Sequence, residues 1–275
     1  MLIKAIFRRI MQLPGARFLW GKFPIGPLGL RVRYGIAPRP HYTFGVYRAA
    51  QLAKRLGLST ISAIEFGVVG GNGLVALENT AAEISRNIGV KIEVFGFDSG
   101  TGMPKPVDYR DLPYVWGEGF YQMDEAALRN RLKYAELVIG DVGLTTPALL
   151  SRKIAPIGFI AFDLDYYSST KAAFQVFSGS EQTRLPRIYC YFDDILDEIA
   201  CHNEFIGELC AIREFNAEHL SQKICPIHLL RKTQPIPQTW HEQIYVMHDF
   251  AHSLYCTNVA SDMDRPSQLD LIRRR

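Results

Sequence analysis

The sequence has no run of about 20 apolar residues, so no transmembrane helix is expected. Pro14 and Gly15 interrupt its first apolar segment before a leader-type core could form, so no secretory signal is expected either. It has no Cys-x-x-Cys pair. Cys190, Cys201, Cys210, Cys225 and Cys256 are scattered and odd in number, which argues against a disulfide framework or a cysteine zinc site and fits a reducing cytoplasm. Strong charge of one sign is missing too. The net charge is +3, with basic residues spread out apart from Arg273, Arg274 and Arg275, which gives no ground for a nucleic-acid partner. Internal repeats and low-complexity tracts are absent. What remains is an ordinary globular composition, 48% apolar and 21% charged, over 275 residues: room for one large α/β domain.

Residues 13–41 are dense in Pro and Gly, so residues 1–41 read as an irregular arm, 42–260 as the folded domain and 261–275 as a polar basic tail. Residues 1–10 alternate apolar and basic side chains. They are expected to dock on their own domain or on a second subunit of a homo-oligomer, with weak peripheral membrane contact as the alternative. From Tyr42 the apolar residues fall at helical spacing up to Gly57. Thereafter strand-like and helix-like stretches alternate: strands at 62–66, 91–97, 137–139, 157–162 and 187–192, helices at 74–88, 125–134, 169–177 and 204–220. The close, 224–230 and 243–250, reads as two strands without an intervening helix. This order predicts a Rossmann-like, doubly wound, mostly parallel seven-stranded sheet ending in an antiparallel hairpin.

In such a sheet ligands bind beyond the carboxyl ends of the strands. The first strand runs into Glu65-Phe66-Gly67-Val68-Val69-Gly70-Gly71-Asn72-Gly73, a turn that would let a ligand approach the backbone. It is not the dinucleotide pattern G-x-G-x-x-G, because Val69 stands where the second glycine belongs, and a dehydrogenase is disfavoured. The second strand ends in Asp98-Ser99-Gly100, and an acid there can accept from the two hydroxyls of a ribose. Asp141 and Asp163 follow the third and fourth strands, and Asp193-Asp194 the fifth. Carboxylates gathered at one rim repel one another unless a cation joins them, so Asp163, Asp193 and Asp194 suggest a hard divalent metal such as magnesium; helix capping by Asp193 and Asp194 is the alternative.

Taken in order, these segments resemble the macrocin O-methyltransferase family. They are the turn Glu65 to Gly71, Asp98-Ser99-Gly100-Thr101-Gly102-Met103-Pro104, Asp163-Leu164-Asp165-Tyr166-Tyr167-Ser168-Ser169-Thr170, and Asp193-Asp194. Gly140-Asp141-Val142 with Thr145, Thr146 and Pro147 adds to the likeness, which spans roughly residues 60–220. The longer loop Ser178 to Pro186 and the arm before residue 42 depart from it. So does the substrate-variable region of Trp116, Phe120, Tyr121 and Met123.

The resemblance implies the class I methyltransferase fold and transfer of a methyl group from S-adenosylmethionine to a hydroxyl of a small molecule or glycan. It implies that Glu65, Gly67, Gly70, Gly71, Asn72, Asp98, Ser99 and Asp141 hold the cofactor, with a side chain at Gly71 intruding on it. Magnesium would be held by Asp163, Asp193 and Asp194, with Asp163 also acting catalytically. A cephalosporin hydroxylase-like enzyme and a catalytically silent scaffold of the same fold are the competing expectations. His202, His219, His228, His241, His248 and His252 belong to no motif and are expected to be structural or exposed.

Overall fold

The computed structural model describes residues 9–13, 15–196 and 198–260, so most of the 1–10 segment and the whole of the 261–275 tail lie outside the described residues. The elements run α1 (Ala16–Lys22), α2 (Leu28–Tyr34), α3 (Pro40–Arg55), β1 (Thr60–Phe66), α4 (Asn72–Ile88), β2 (Lys91–Asp98), α5 (Glu125–Arg129), β3 (Glu136–Ile139) and α6 (Val142–Leu150). They continue with β4 (Ile157–Phe162), α7 (Tyr167–Ala173), β5 (Arg184–Phe192), α8 (Gly207–Glu218), β6 (Gln222–Pro226), α9 (Leu230–Thr233) and β7 (Ile244–Asp249). Among the described residues, no helix is long and apolar enough to cross a membrane.

The strands form one seven-stranded sheet in the order β3-β2-β1-β4-β5-β7-β6, with β7 antiparallel to both its neighbours and every other pair parallel. Helices cover both faces, as a parallel sheet requires. That is why all six residues of β4 are buried and why its sequence is a continuous apolar run. On one face Ile61, Ala63, Phe159 and Ala161 pack against α3 and α4, whose Ala49, Ala53, Leu74, Leu77, Ala81 and Ile84 recur at helical spacing.

On the other face one feature organises the sheet. The parallel register aligns Phe97, Phe66, Phe162 and Phe192 in a row across β2, β1, β4 and β5. Their ring centroids are 4.9, 5.5 and 4.8 Å apart in turn, the last pair stacked within 7° of parallel. Phe174, Phe177 and Phe215, from α7 through α8, close over the row.

Three expectations need correction. The arm is not irregular: α1 and α2 lie in it and α3 begins at Pro40, because the breakers fall at helix ends. Gly15 and Pro27 are N-caps, Gly35 is a left-handed C-cap at φ 65° and Pro40 opens α3. Leu28 and Val32 join the main core, and Arg31 pairs with Glu83 at 2.5 Å. The expected helix 125–134 stops at Arg129. Beyond it Arg131 turns to the Gly70 carbonyl and the Asn72 side chain, both at 2.7 Å, and the Lys133 and Tyr134 amides donate to Glu78. Finally, α9 and a 3-10 turn (Thr239–Glu242) do separate the last two strands, because Leu230 and Trp240 are buried in the core.

Phe162, fully buried at the centre of the row, touches four other phenylalanines. Phe162→Ala is expected to lower the unfolding free energy by about 3–5 kcal/mol in urea titration. A loss under about 1 kcal/mol would mean that the row contributes little.

Candidate active site

The chain winds from β1 outward through β2 to β3, and from β4 outward in the other direction, so β1 and β4 flank the point where strand order reverses. Beyond their carboxyl ends lies a cavity of about 520 Å³, lined among others by Gly67, Val69, Asp98, Ser99, Asp141, Asp163 and Tyr121. Phe66 and Phe97 of the phenylalanine row also line it. The residue after each ring is a rim residue: Gly67 after Phe66, Asp98 after Phe97, Asp163 after Phe162 and Asp193 after Phe192.

Gly67 has φ 82°, and a Cβ there would overlap the Asp163 carbonyl, so only glycine lets β1 and β4 approach at this level. The turn then closes on Asp98. Its Oδ2 accepts from the amides of Val68 and Val69 at 2.9 and 2.8 Å, and its Oδ1 from Gly100 at 2.7 Å. Asp98 thus shapes the turn while facing the cavity, with one bond on Oδ1 leaving capacity for a ligand hydroxyl. Ser99 lines the same wall and donates to the Gly102 carbonyl at 2.8 Å. Asp141, also at the cavity, caps α6 by accepting from the Gly143 amide at 2.7 Å.

The remaining residues expected at the cofactor lie outside the cavity. Gly70 and Asn72 are held by Arg131, and a Cβ on Gly71 would strike the Leu128 side chain of α5. Gly71, at φ 76°, therefore serves the turn and the docking of α5; a side chain there meets Leu128 and not the cavity. Glu65 sits beneath the turn, 1% exposed, where Oε1 accepts from the Tyr42 hydroxyl at 2.6 Å and Oε2 has no hydrogen-bond partner among the described residues. Burial pushes its carboxyl up to about 7, against the lowering pull of the Tyr42 hydrogen bond and Arg39.

Asp163, Asp193 and Asp194 do come together: one carboxylate oxygen of each lies within 4.8 Å of the others. Burial first, and then their neighbours' charge, hold Asp163 and Asp194 well above the usual carboxylate range. Asp163 lines the cavity, whereas Asp193 and Asp194 are not among its lining residues. Capping does not explain the pair, since α8 starts only at Gly207. Asp193 accepts from the Tyr191 hydroxyl, and Asp194 accepts from the Asp165 amide at 2.9 Å. Asp165 itself has a left-handed backbone at φ 54°.

Several contributors escaped the sequence reading. Glu208 of α8 is fully buried, accepts from the Asp194 amide at 3.2 Å and leaves Oε1 without a hydrogen-bond partner among the described residues. His41 stacks on Tyr191 at 4.2 Å and meets Tyr42 edge-on at 4.8 Å, and burial lowers its pKa to about 3, so the ring is neutral. Arg39 supplies the positive charge that Glu65, Asp163 and Asp193 feel. Arg39 and His41 precede the expected domain start at 42, and a helix beginning at Pro40 was the signal that could have found them.

No protein-family model matches the chain, and no curated protein matches it. Among solved structures it is similar to the O-methyltransferase NovP, at 15% identity over 76% of this chain and 80% of that one, with a TM-score of 0.51. The chain has the class I methyltransferase fold. More distant superpositions are found with CalS11, a calicheamicin methyltransferase, at 20% identity over 74% of this chain and 77% of that one, TM-score 0.47. An O-methyltransferase from Bacillus cereus shows 15% identity over 74% and 78%, TM-score 0.37. The NovP likeness carries the fold; the other two add nothing to it.

The raised Glu65 carboxyl gives a pH prediction. The folded state holds the proton more tightly than the unfolded chain, so its contribution to stability is full below the ordinary carboxylate pKa and is lost as pH rises through about 7. Relative to Glu65→Gln, which keeps the Tyr42 acceptor, the native protein is expected to lose on the order of 3 kcal/mol between about pH 4 and pH 8. Urea unfolding across that range checks it. A difference between the two proteins that does not change with pH contradicts the raised carboxyl.

Proposed function

We propose that this chain is an S-adenosylmethionine-dependent methyltransferase (EC 2.1.1) that methylates a hydroxyl of a small molecule or glycan, with a divalent cation, magnesium, assisting. One observation carries the reading. The cavity at the switch point of a class I methyltransferase sheet is bounded on one side by the Gly67 turn and Asp98, and on the other by Asp163 with its two partner carboxylates.

The residues fit the two groups. A cavity of about 520 Å³ lies within the usual range of ligand pockets, roughly 300–1,000 Å³. Gly67, Asp98, Ser99 and Asp141 would hold the cofactor, Asp98 taking a ribose hydroxyl on Oδ1; Glu65, Gly70, Gly71 and Asn72 support that wall from behind. Asp163, Asp193 and Asp194 offer oxygens only, the donor set that suits magnesium. Burial of mutually repelling carboxylates is costly, and a bound cation reverses that cost.

When bound, the sulfonium supplies an electrophilic methyl group, and the cation lowers the pKa of the acceptor hydroxyl. The chain's own work is positioning. Asp163, the one carboxylate of the three that reaches the cavity, orients the hydroxyl and takes its proton. Tyr121 and the Gly102–Pro104 segment bound the acceptor side and keep water from the methyl group.

Calorimetric titration with S-adenosylmethionine tests the cofactor assignment. Binding is expected, and Asp98→Ala, verified as folded, should weaken it about ten- to a hundred-fold, the loss of a charged hydrogen bond of about 1.5–3 kcal/mol. Undiminished affinity in that variant removes Asp98 from the cofactor site, and no binding by the native chain removes the methyltransferase reading. Exhaustive chelation is expected to abolish methyl transfer, with activity restored by added magnesium. Full activity after chelation removes the cation and leaves methyl transfer standing.

A further inference from the structure

Charge is divided unevenly along the chain. Every charged residue before Glu65 is Lys or Arg, so all 28 Asp and Glu lie beyond position 64, although the whole chain carries only +3. In the described part of this acid-free segment, large apolar side chains stand in water. Phe18 is 73% and Ile25 77% exposed, with Leu13, Leu19 and Phe23 exposed beside them, and α1 buries none of its residues.

The arrangement is held in place. Phe18, Leu19 and Lys22 fall within about 100° of one another around α1, on its outer side. Trp20 turns the other way, against Tyr34 at 5.8 Å, and its Nε1 donates to the Ile25 carbonyl at 2.7 Å. That bond pins the Phe23–Ile25 turn beside the helix and leaves both apolar side chains outward. Arg17, on the inner side, donates to Gln238 at 2.8 Å. Arg9, Lys22 and Arg33 are exposed, and among the described residues no carboxylate pairs with them. In sequence, Leu2, Ile3, Lys4, Ile6, Phe7 and Arg8 continue the same mixture.

We propose that this face docks on an anionic lipid bilayer. The partner has to be anionic to meet a segment without acids, and it has to offer apolar depth for Phe18, Phe23 and Ile25. A second copy meeting this face with its own would set like charge against like. Nucleic acid matches the cations, and its bases could stack on the phenylalanines, but it offers no apolar depth for the exposed aliphatic Leu13, Leu19 and Ile25. Acidic headgroups over a hydrocarbon interior match both: basic side chains meet the headgroups while the aromatic and aliphatic ones enter the acyl boundary. This surface is independent of the cavity, so its test does not depend on methyl transfer.

The test is co-sedimentation of the full chain with vesicles of phosphatidylglycerol and phosphatidylcholine, against vesicles of phosphatidylcholine alone. Phe18→Ser/Ile25→Ser and Lys22→Glu change only exposed positions, so their circular dichroism should match the native chain. The native chain is expected to pellet with the acidic vesicles, less so at high salt, and not with the neutral ones. The double serine variant should bind about tenfold or more weakly, as two apolar side chains no longer enter the bilayer. Three results overturn the proposal: no pelleting with acidic vesicles, equal pelleting of the serine variant, or a native dimer in light scattering that the serine variant splits.

Discussion

The site depends on one piece of packing, the in-register row of Phe97, Phe66, Phe162 and Phe192 across four parallel strands. Side chains alternate along a strand, so four rings on one face at one level force the next residues to leave the strands together at the same rim. Those residues are Asp98, Gly67, Asp163 and Asp193. A slip of one residue in any of the four strands would send its ring to the wrong face and its rim residue out of the site. The buried apolar row therefore fixes where polar groups stand, although its rings carry no polar group of their own.

Packing of this kind lets the fold carry charge that would otherwise cost stability. Glu65, Asp163, Asp194 and Glu208 are carboxyls that burial holds above their usual range, and Glu65 and Glu208 each leave one oxygen without a hydrogen-bond partner among the described residues. Such groups oppose folding unless neutral, hydrogen-bonded or paired with a cation. Tyr42 donates to Glu65 and Tyr191 to the adjoining Asp193, and the positive charge of Arg39 acts on Glu65 and Asp163. A cation or ligand that binds only the folded chain would offset what remains.

Much of this was legible in the sequence, for identifiable reasons. A continuous apolar run marks a strand buried on both faces, as in β4, and glycine at both ends marks a helix, as in α4. Aspartates placed after successive strands had to share a rim. Contacts between distant segments were not legible. Nothing local announces that Gly71 faces Leu128, that Tyr42 reaches Glu65, or that His41 stacks on Tyr191. The arm misled for a physical reason: glycine and proline stop helices in mid-course but also bound them, and Gly15, Pro27, Gly35 and Pro40 all stand at ends. The repeated pattern of phenylalanine followed by a rim residue at four strand ends was present in the sequence, and only the register shows that it is a row.

The most direct measurement is a crystal structure of the chain grown with S-adenosylhomocysteine. The account predicts ligand density in the cavity between the Gly67 turn and Asp141, with a ribose hydroxyl on Asp98 Oδ1 and the sulfur directed toward Asp163. A cavity that stays empty at saturating ligand, or density at any other place on the chain, would contradict it.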